Sequence, residues 1–484
     1  MNPIVGFAPD ADKMAPGIFT DCSNVIPYEA GFKGAPTPVA VAVTALAAEC
    51  RGAVVATQLD GIRRIFAGTQ TKLYELVSSA WTDVSAVGSY TGSSETRWSF
   101  CQFGNTTIAS NLIDAMQSSA SGNFAAVPTA PKAKIVVSAS NNFVVAFNTN
   151  DATYSASPDR WWCCAQGDQT NWTPSVTTSA TTGRLVAVEG AIEAAMTLGN
   201  DIVAYKRRAM FVGRFAAAPV VWEWTLIPAG EAGAVGQEAV CDIGGAHFFV
   251  SDDNFWLFDG TRPIPIGDGE VRQWFLNNSS PTYRYRTKAI YEKQNNLVRV
   301  FYPSLSSTGA CDATLVYHVL KKQWGRHDLT IQAPLNYIAP GATIDGLDAY
   351  SATIDGLPDV PFDSQFWLAG GRQAAYFNTS HQLVSLTGAT GPSSFTTGDM
   401  GDDDAVTVID RFRVRFESSP TTATATGYYK FNEGDALATG PSSTINDGKF
   451  DIRQSGRFHR VKVEMTGDHK EYAYAGKPKV VGGR

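Results

Sequence analysis

Ala53-Val54-Val55-Ala56-Thr57-Gln58-Leu59 runs into Asp60-Gly61 and then into Ile62-Arg63-Arg64-Ile65-Phe66-Ala67. Two β-branched, apolar runs parted by Asp-Gly read as a hairpin, because both residues of the tight turn need positive φ. Looser copies recur downstream. Residues 98–103 meet Gly104-Asn105 before 106–109, and 134–138 precede Asn141-Asn142 and 143–147. Residues 194–198 lead to Asn200-Asp201 and 202–205, and 239–243 to Gly244-Gly245 and 247–250. Residues 289–293 lead to Asn295-Asn296 and 297–301. The second turn residues fall at 61, 105, 142, 201, 245 and 296, a spacing of 37 to 59 residues.

A third strand follows most of these hairpins, as in Lys72-Leu73-Tyr74-Glu75-Leu76 and Asn254-Phe255-Trp256-Leu257-Phe258. A fourth opens near Trp81-Thr82-Asp83-Val84, Val221-Trp222-Glu223-Trp224 and Arg262-Pro263-Ile264-Pro265-Ile266. Three or four strands at such a period describe a propeller blade, which cannot bury both faces alone and so stacks on its neighbours. A run of unrelated β-meanders is the alternative. Six blades are countable. Phe366-Trp367-Leu368-Ala369 before Gly370-Gly371 either adds a seventh or closes the ring with the N-terminal segment.

Near residue 390 the texture changes. Gly391-Pro392-Ser393-Ser394 and Asp402-Asp403-Asp404 mark a boundary, and clean alternation follows in 406–416 and 457–465. Period-two alternation with charged outer faces predicts antiparallel strands wet on one side. The expected fold is all-β, with an N-terminal extended segment (1–40), an irregular six- or seven-bladed propeller (41–390) and a C-terminal β-sandwich or platform (391–484).

The chain has 484 residues, 44% of them hydrophobic, 11% aromatic and 18% charged, so a large core is available. A formal net charge of −7 argues against a protein that grips nucleic-acid phosphates. Residues 401–484 hold 13 basic and 12 acidic side chains, so the acidity belongs to the first 400 residues. The seven cysteines include no C-x-x-C pair, and the first residues lack a secretory leader's charged and apolar regions. Reduced thiols in a cytoplasmically folded protein are expected. No stretch approaches 18 uninterrupted apolar residues, so no membrane insertion is expected.

Catalytic patterns are sparse. The six histidines fall in no metal-ligating spacing, and neither a nucleophile elbow nor a phosphate loop occurs. His247 reads as a core or ladder residue. Trp161, Trp162 and Trp172 could stack on sugar but read as blade core. Gly167-Asp168-Gln169-Thr170-Asn171-Trp172 is a damaged single copy of the turn that sialidase propellers repeat. Asp252-Asp253 reads as a blade turn and Asp402-Asp403-Asp404 as a solvated loop, so no cofactor and no metal is expected.

Pro16-Gly17-Ile18-Phe19-Thr20-Asp21-Cys22-Ser23-Asn24-Val25-Ile26-Pro27, then Gly31 and Pro36, resembles the opening of tail proteins from short-tailed bacteriophages (podoviruses). Phe211-Val212-Gly213, Ala234-Val235-Gly236-Gln237, the stretch 248–260, Ile264-Pro265-Ile266-Gly267 and 271–275 resemble that family's central region. The family is the packaged-DNA stabilisation protein, or tail hub and nozzle. The resemblance implies a structural, non-enzymatic virion protein, a homohexameric ring extending the DNA exit channel below the portal and adaptor. Its implied partners are portal and adaptor proteins, tail fibres, spikes or a plug, and genomic DNA passing without sequence-specific binding. The chain would be made in the host bacterial cytoplasm and end in the virion tail. Acidic walls would keep phosphates moving, which makes the blade-loop residues Asp252, Asp253, Asp268 and Glu270 candidates for the lumen or the outer rim. The rival readings are a tail propeller that binds or cleaves glycans and a cellular interaction scaffold.

Overall fold

In a computed structural model the described residues are 2–338 and 372–482, without Val87 and Ala229, together with Thr353 and Asp355. Each hairpin read from the sequence forms, but at Asp60-Gly61 only Gly61 takes positive φ, 86°, and the loop runs over 58–62 between the paired Thr57 and Arg63 rather than over two residues. Asn141 and Asn142 both hold φ of 61°, and Gly244 and Gly245 hold 89° and 108°, so the turn chemistry sets the register of blades three and five. Blade one is Ala53–Thr57, Arg63–Gly68, Leu73–Val77 and Ala80–Asp83. Blade two is Ser99–Phe103, Thr106–Ser110, Gln117–Ser119 and Ala125–Ala126. Blade three is Lys132–Ala139, Phe143–Asp151, Ser155–Cys163 and Thr181–Arg184, and blade four Ile192–Leu198, Asp201–Lys206, Met210–Ala217 and Val221–Leu226. Blade five is Val240–Asp242, His247–Val250, Phe255–Phe258 and Pro263–Pro265, and blade six Lys288–Glu292, Leu297–Tyr302, Ala313–His318 and Gln323–Arg326.

The seventh blade settles the ring. Ala333–Ile338, Arg372–Phe377 and Leu383–Ser385 take Val39–Ala40 as their outermost strand. The first strand of each blade packs on that of the next, and Ala333–Ile338 returns to Ala53–Thr57. The protein is therefore a closed seven-bladed propeller, latched by a strand that precedes blade one. Val39 and Ala40, at the end of the segment read as extended, belong to this latch. The stretch 366–371 lies outside the described residues.

The two chain ends build the second body. One sheet orders Val25–Tyr28, Gly31–Gly34, Lys470–Gly476, Phe412–Ser418 and Lys449–Phe450, and Val25 pairs with Arg326, so this sheet continues blade six. The facing sheet runs from Gly6–Phe7 and Ile18–Ser23 through Ser393–Thr397, Phe458–Thr466 and Thr422–Lys430 to Ala438–Thr444. The alternating stretch 406–416 splits into Val406–Ile409 and Phe412–Ser418, which lie in different sheets.

One hydrophobic core spans both bodies. Phe19 stacks on Phe395 at 4.5 Å, while Trp324 of blade six lies 4.6 Å from Tyr317 and 4.8 Å from Phe255 of blade five. Burying such rings stabilises by about 1.5–3 kcal/mol each, so the junction is a continuation of the core. The single α-helix among the described residues, Arg272–Asn278, is capped from afar by the Asp10 carboxylate, which accepts the N–H groups of Gln273 and Trp274. That contact and the Phe7–Trp274 edge-to-face pair pin the N-terminal segment to blade five's exit. No helix among the described residues is long and apolar enough to cross a membrane.

Candidate functional surfaces

The first strand of each blade lines the bore. It encloses a cavity of about 450 Å³, walled by residues such as Val55, Phe100, Val136, Met196, Ile290 and Leu335. Among the described residues its only charged lining residues are Glu238 and Arg372. At the end where the innermost strands begin, charges crowd and pair. Lys134 binds Glu193 between blades three and four, and Glu238 takes both Lys288 and, at 3.9 Å, Arg97. The connection from blade five to blade six crosses this mouth. Tyr285 donates to Glu95 at 2.7 Å, and Arg286 pairs with the same carboxylate. Burial raises the Glu95 carboxyl, but hydrogen bonds from Tyr285 and Arg286 outweigh it and hold the group below its usual range. A Cβ on Gly236 would meet the Tyr285 carbonyl, which fits the glycine at that place in Ala234-Val235-Gly236-Gln237.

Burial pushes all seven thiols up, Cys164 and Cys311 to about 11, so none is a ready thiolate at neutral pH. His247 is fully buried, bonded to the Tyr205 hydroxyl at 2.8 Å and the Thr197 carbonyl at 2.9 Å. Trp161, Trp162 and Trp172 are buried. The Gly167–Trp172 turn closes on itself: Asp168 accepts from Thr170, and the Trp172 indole N–H donates to the Gln169 carbonyl at 2.8 Å. Among the described residues no three His, Cys, Asp or Glu side chains cluster as a metal would need.

The four acidic candidates lie together at one edge of blade five, outside the bore lining. Asp252 pairs with Arg207 of blade four. Asp253 accepts weakly from the Trp256 indole at 3.4 Å, and its carbonyl takes Arg272 Nε at 2.7 Å. Asp268 accepts from Asn254 at 3.0 Å and sits 3.6 Å from Arg272. Burial pushes the Glu270 carboxyl up.

A different surface is uncompensated. A groove of about 560 Å³ in the sandwich is lined by Arg411, Arg413, Arg415, Lys449, Lys477 and Lys479, against only Asp410 and Asp447. Arg411 is held by Asp451 at 2.7 Å, Lys449 by Asp447 at 3.2 Å and Lys479 by Asp410 at 3.0 Å. The Lys479 hydrogen bond holds Asp410 below its ordinary value. Arg413, Arg415 and Lys477 are exposed and have no partner among the described residues. Ala475 and Ala473 stand opposite Arg413 and Arg415, so small side chains leave the guanidinium groups uncovered. Val480 and Val481, 63% and 66% exposed, follow Lys479 directly. The arginine alternation was readable in the sequence. The lysines that complete the groove arrive from separate strands and carried no local signal.

No protein-family model and no curated protein matches the chain. Among solved structures, BBS1N in complex with ARL6DN aligns at 10% identity over 73% of this chain and 96% of its own, with TM-score 0.38. An exo-β-1,3-galactanase from Phanerochaete chrysosporium with β-1,3-galactotriose aligns at 8% identity over 78% and 95%, with TM-score 0.25. The extracellular domain of a one-component system from B. thetaiotaomicron aligns at 8% over 84% of this chain and 50% of its own, with TM-score 0.37. The fold assignment rests on the closed ring of blades described above.

Proposed function

We propose that this chain is a structural subunit of the tail nozzle of a short-tailed bacteriophage, assembling as a homohexameric ring that extends the DNA exit channel. The observation that supports the reading is a sandwich groove in which Arg413, Arg415 and Lys477 have no counter-charge among the described residues, on a chain whose net charge is −7. Like charges held side by side without counterions favour an acidic surface docked on them. In a cyclic assembly of identical copies that surface belongs to the next subunit, a head-to-tail contact that closes on itself. The resemblance in the N-terminal and central stretches supplies the family, the number of copies and the remaining partners: portal and adaptor above, fibres, spikes or a plug elsewhere. The continuous core between blade six and the sandwich suits a part that transmits load.

DNA in this reading passes between subunits. Among the described residues the bore leaves about 450 Å³ of open space, crossed at one end by Tyr285 and Arg286, which is the size of a small-ligand pocket. A glycan-cleaving role would call for a free pair of carboxylates across a sugar, whereas Glu95, Glu193 and Glu238 at the mouth are each occupied by cations. We therefore assign no catalytic role.

Sedimentation velocity and negative-stain images of the purified chain test the proposal. Six-membered rings are expected, reduced to single subunits by Arg413→Glu with Arg415→Glu. Solitary wild-type particles, or rings indifferent to that double change, would overturn it. Cutting the chain before Phe395 is a poor test, because it strips the partner strand and stacked ring from Phe19.

A further inference from the structure

A second cluster of cations lies away from the groove, in a cleft where the sandwich meets blade six and the segment leaving blade seven. The cleft encloses about 360 Å³. Lys33 and Lys470 stand directly opposite each other on adjacent strands, an arrangement in which like charges repel. Arg299 joins them from blade six and is 1% exposed.

The acidic groups of the cleft are already engaged. Glu292 accepts from Arg299 Nε at 2.9 Å and from Asn295, and one oxygen of Asp468 accepts the Thr390 N–H at 3.0 Å. His469 is likewise occupied, lying 3.2 Å from the Ser393 hydroxyl and 2.9 Å from the Gly467 carbonyl. Arg299 Nη1 meets His327 at 3.0 Å, leaving Nη2 without a partner among the described residues. Lys33 has no hydrogen bond or ion pair among them, and Lys470 has only Glu417 at 3.7 Å. Burial lowers the Lys33 pKa, with Glu292 opposing the shift and Arg299 and Lys470 adding to it.

We propose that this cleft binds a small phosphate-class anion through Lys33, Arg299 and Lys470. Three donors from three elements converge on one space, and a tetrahedral oxyanion offers an acceptor to each. The volume lies near the lower end for ligand pockets and accommodates either free phosphate or a small phosphate monoester. A bound anion would tie the sandwich to blade six where the chain leaves the propeller. This site is independent of the ring proposal.

Thermal unfolding of the full chain tests it, with inorganic phosphate, a hexose monophosphate and chloride at matched ionic strength. Phosphate or the monoester should raise the unfolding temperature saturably, by roughly 2 °C or more, while chloride does not. Response to both marks the free anion as sufficient, and response to the monoester alone marks the ester as ligand. Lys33→Gln should unfold at a higher temperature than wild type without ligand, through relief of the lysine clash, and should lose the response. No response from either probe, or an equal response in Lys33→Gln, would overturn the site.

Discussion

The mouth of the propeller and the groove of the sandwich are both rich in cations, but all four at the mouth are paired and only three of six in the groove. At the mouth, Lys134, Lys288, Arg97 and Arg286 each face Glu193, Glu238 or Glu95. In the groove, Arg413, Arg415 and Lys477 have no acidic partner among the described residues. Charges paired within a chain fix that chain's own shape, whereas exposed unpaired charges are held by water and are free to attract an opposite surface. The propeller's ion pairs thus tie neighbouring blades together, and the sandwich carries the cations to which the proposed ring contact is assigned.

Reversing the groove should have the largest effect. Arg413→Glu with Arg415→Glu should abolish ring assembly while leaving circular dichroism and unfolding temperature nearly unchanged, because both side chains are exposed. The mouth should behave in the reverse sense. Glu238→Gln leaves Lys288, 2% exposed, without its counter-charge, and should cost about 2–3 kcal/mol of stability with assembly intact in the surviving folded fraction. Denaturant unfolding and sedimentation together separate the two outcomes.

A buried carboxyl in the sandwich sharpens the contrast. Glu471 is fully buried, neither of its oxygens has a hydrogen-bond partner among the described residues, with His469 Nε2 no nearer than 3.6 Å, and burial raises its pKa well above the usual carboxylate range. With the folded value raised, the native state keeps a proton that the unfolded chain releases above about pH 4.3, so this group costs stability as pH rises from there. Glu471→Met should therefore stabilise the protein at pH 7, by about 1–3 kcal/mol, with the gain shrinking toward pH 4. Glu95 at the mouth has the opposite sign: its folded value is depressed, so its contribution is present at neutral pH and lost as pH falls. Unfolding curves between pH 4 and 7 for Glu471→Met and Glu95→Gln should diverge in slope.

The smallest effect is expected at the rim of blade five. Asp252 with Arg207 is a partly exposed pair, so Asp252→Asn should shift stability by less than about 0.5 kcal/mol. Replacing Asp252, Asp253, Asp268 and Glu270 together with Lys tests whether this edge faces the passing genome. Slower DNA ejection at low salt, relieved as salt rises, would put the four on the channel wall, and unchanged ejection would leave them on the outer rim.

The sequence made the blades legible because each hairpin carries its own turn chemistry. Asp60-Gly61, Asn141-Asn142 and Gly244-Gly245 act locally, and strands follow on either side. The seventh blade was half hidden, since its outer strand is two residues, Val39–Ala40, that precede blade one in the chain. Long-range pairing leaves no local mark. The same reason concealed the mouth: Glu95 and Arg286 are 191 positions apart, and only ring closure brings them together. The groove was visible as the alternation Arg411, Arg413, Arg415, but its excess charge depends on Lys449, Lys477 and Lys479 folding beside it.

The central claim is that the sandwich groove takes an acidic surface of a neighbouring copy. Sedimentation velocity of the wild-type chain across a salt series tests it most directly, because screening at about 1 M salt shortens the reach of these charges to roughly 3 Å. The account predicts six-membered rings at low salt that fall to single subunits as salt rises, with the Arg413→Glu and Arg415→Glu double variant single throughout. A single subunit at every salt concentration, or rings in the double variant, would contradict it.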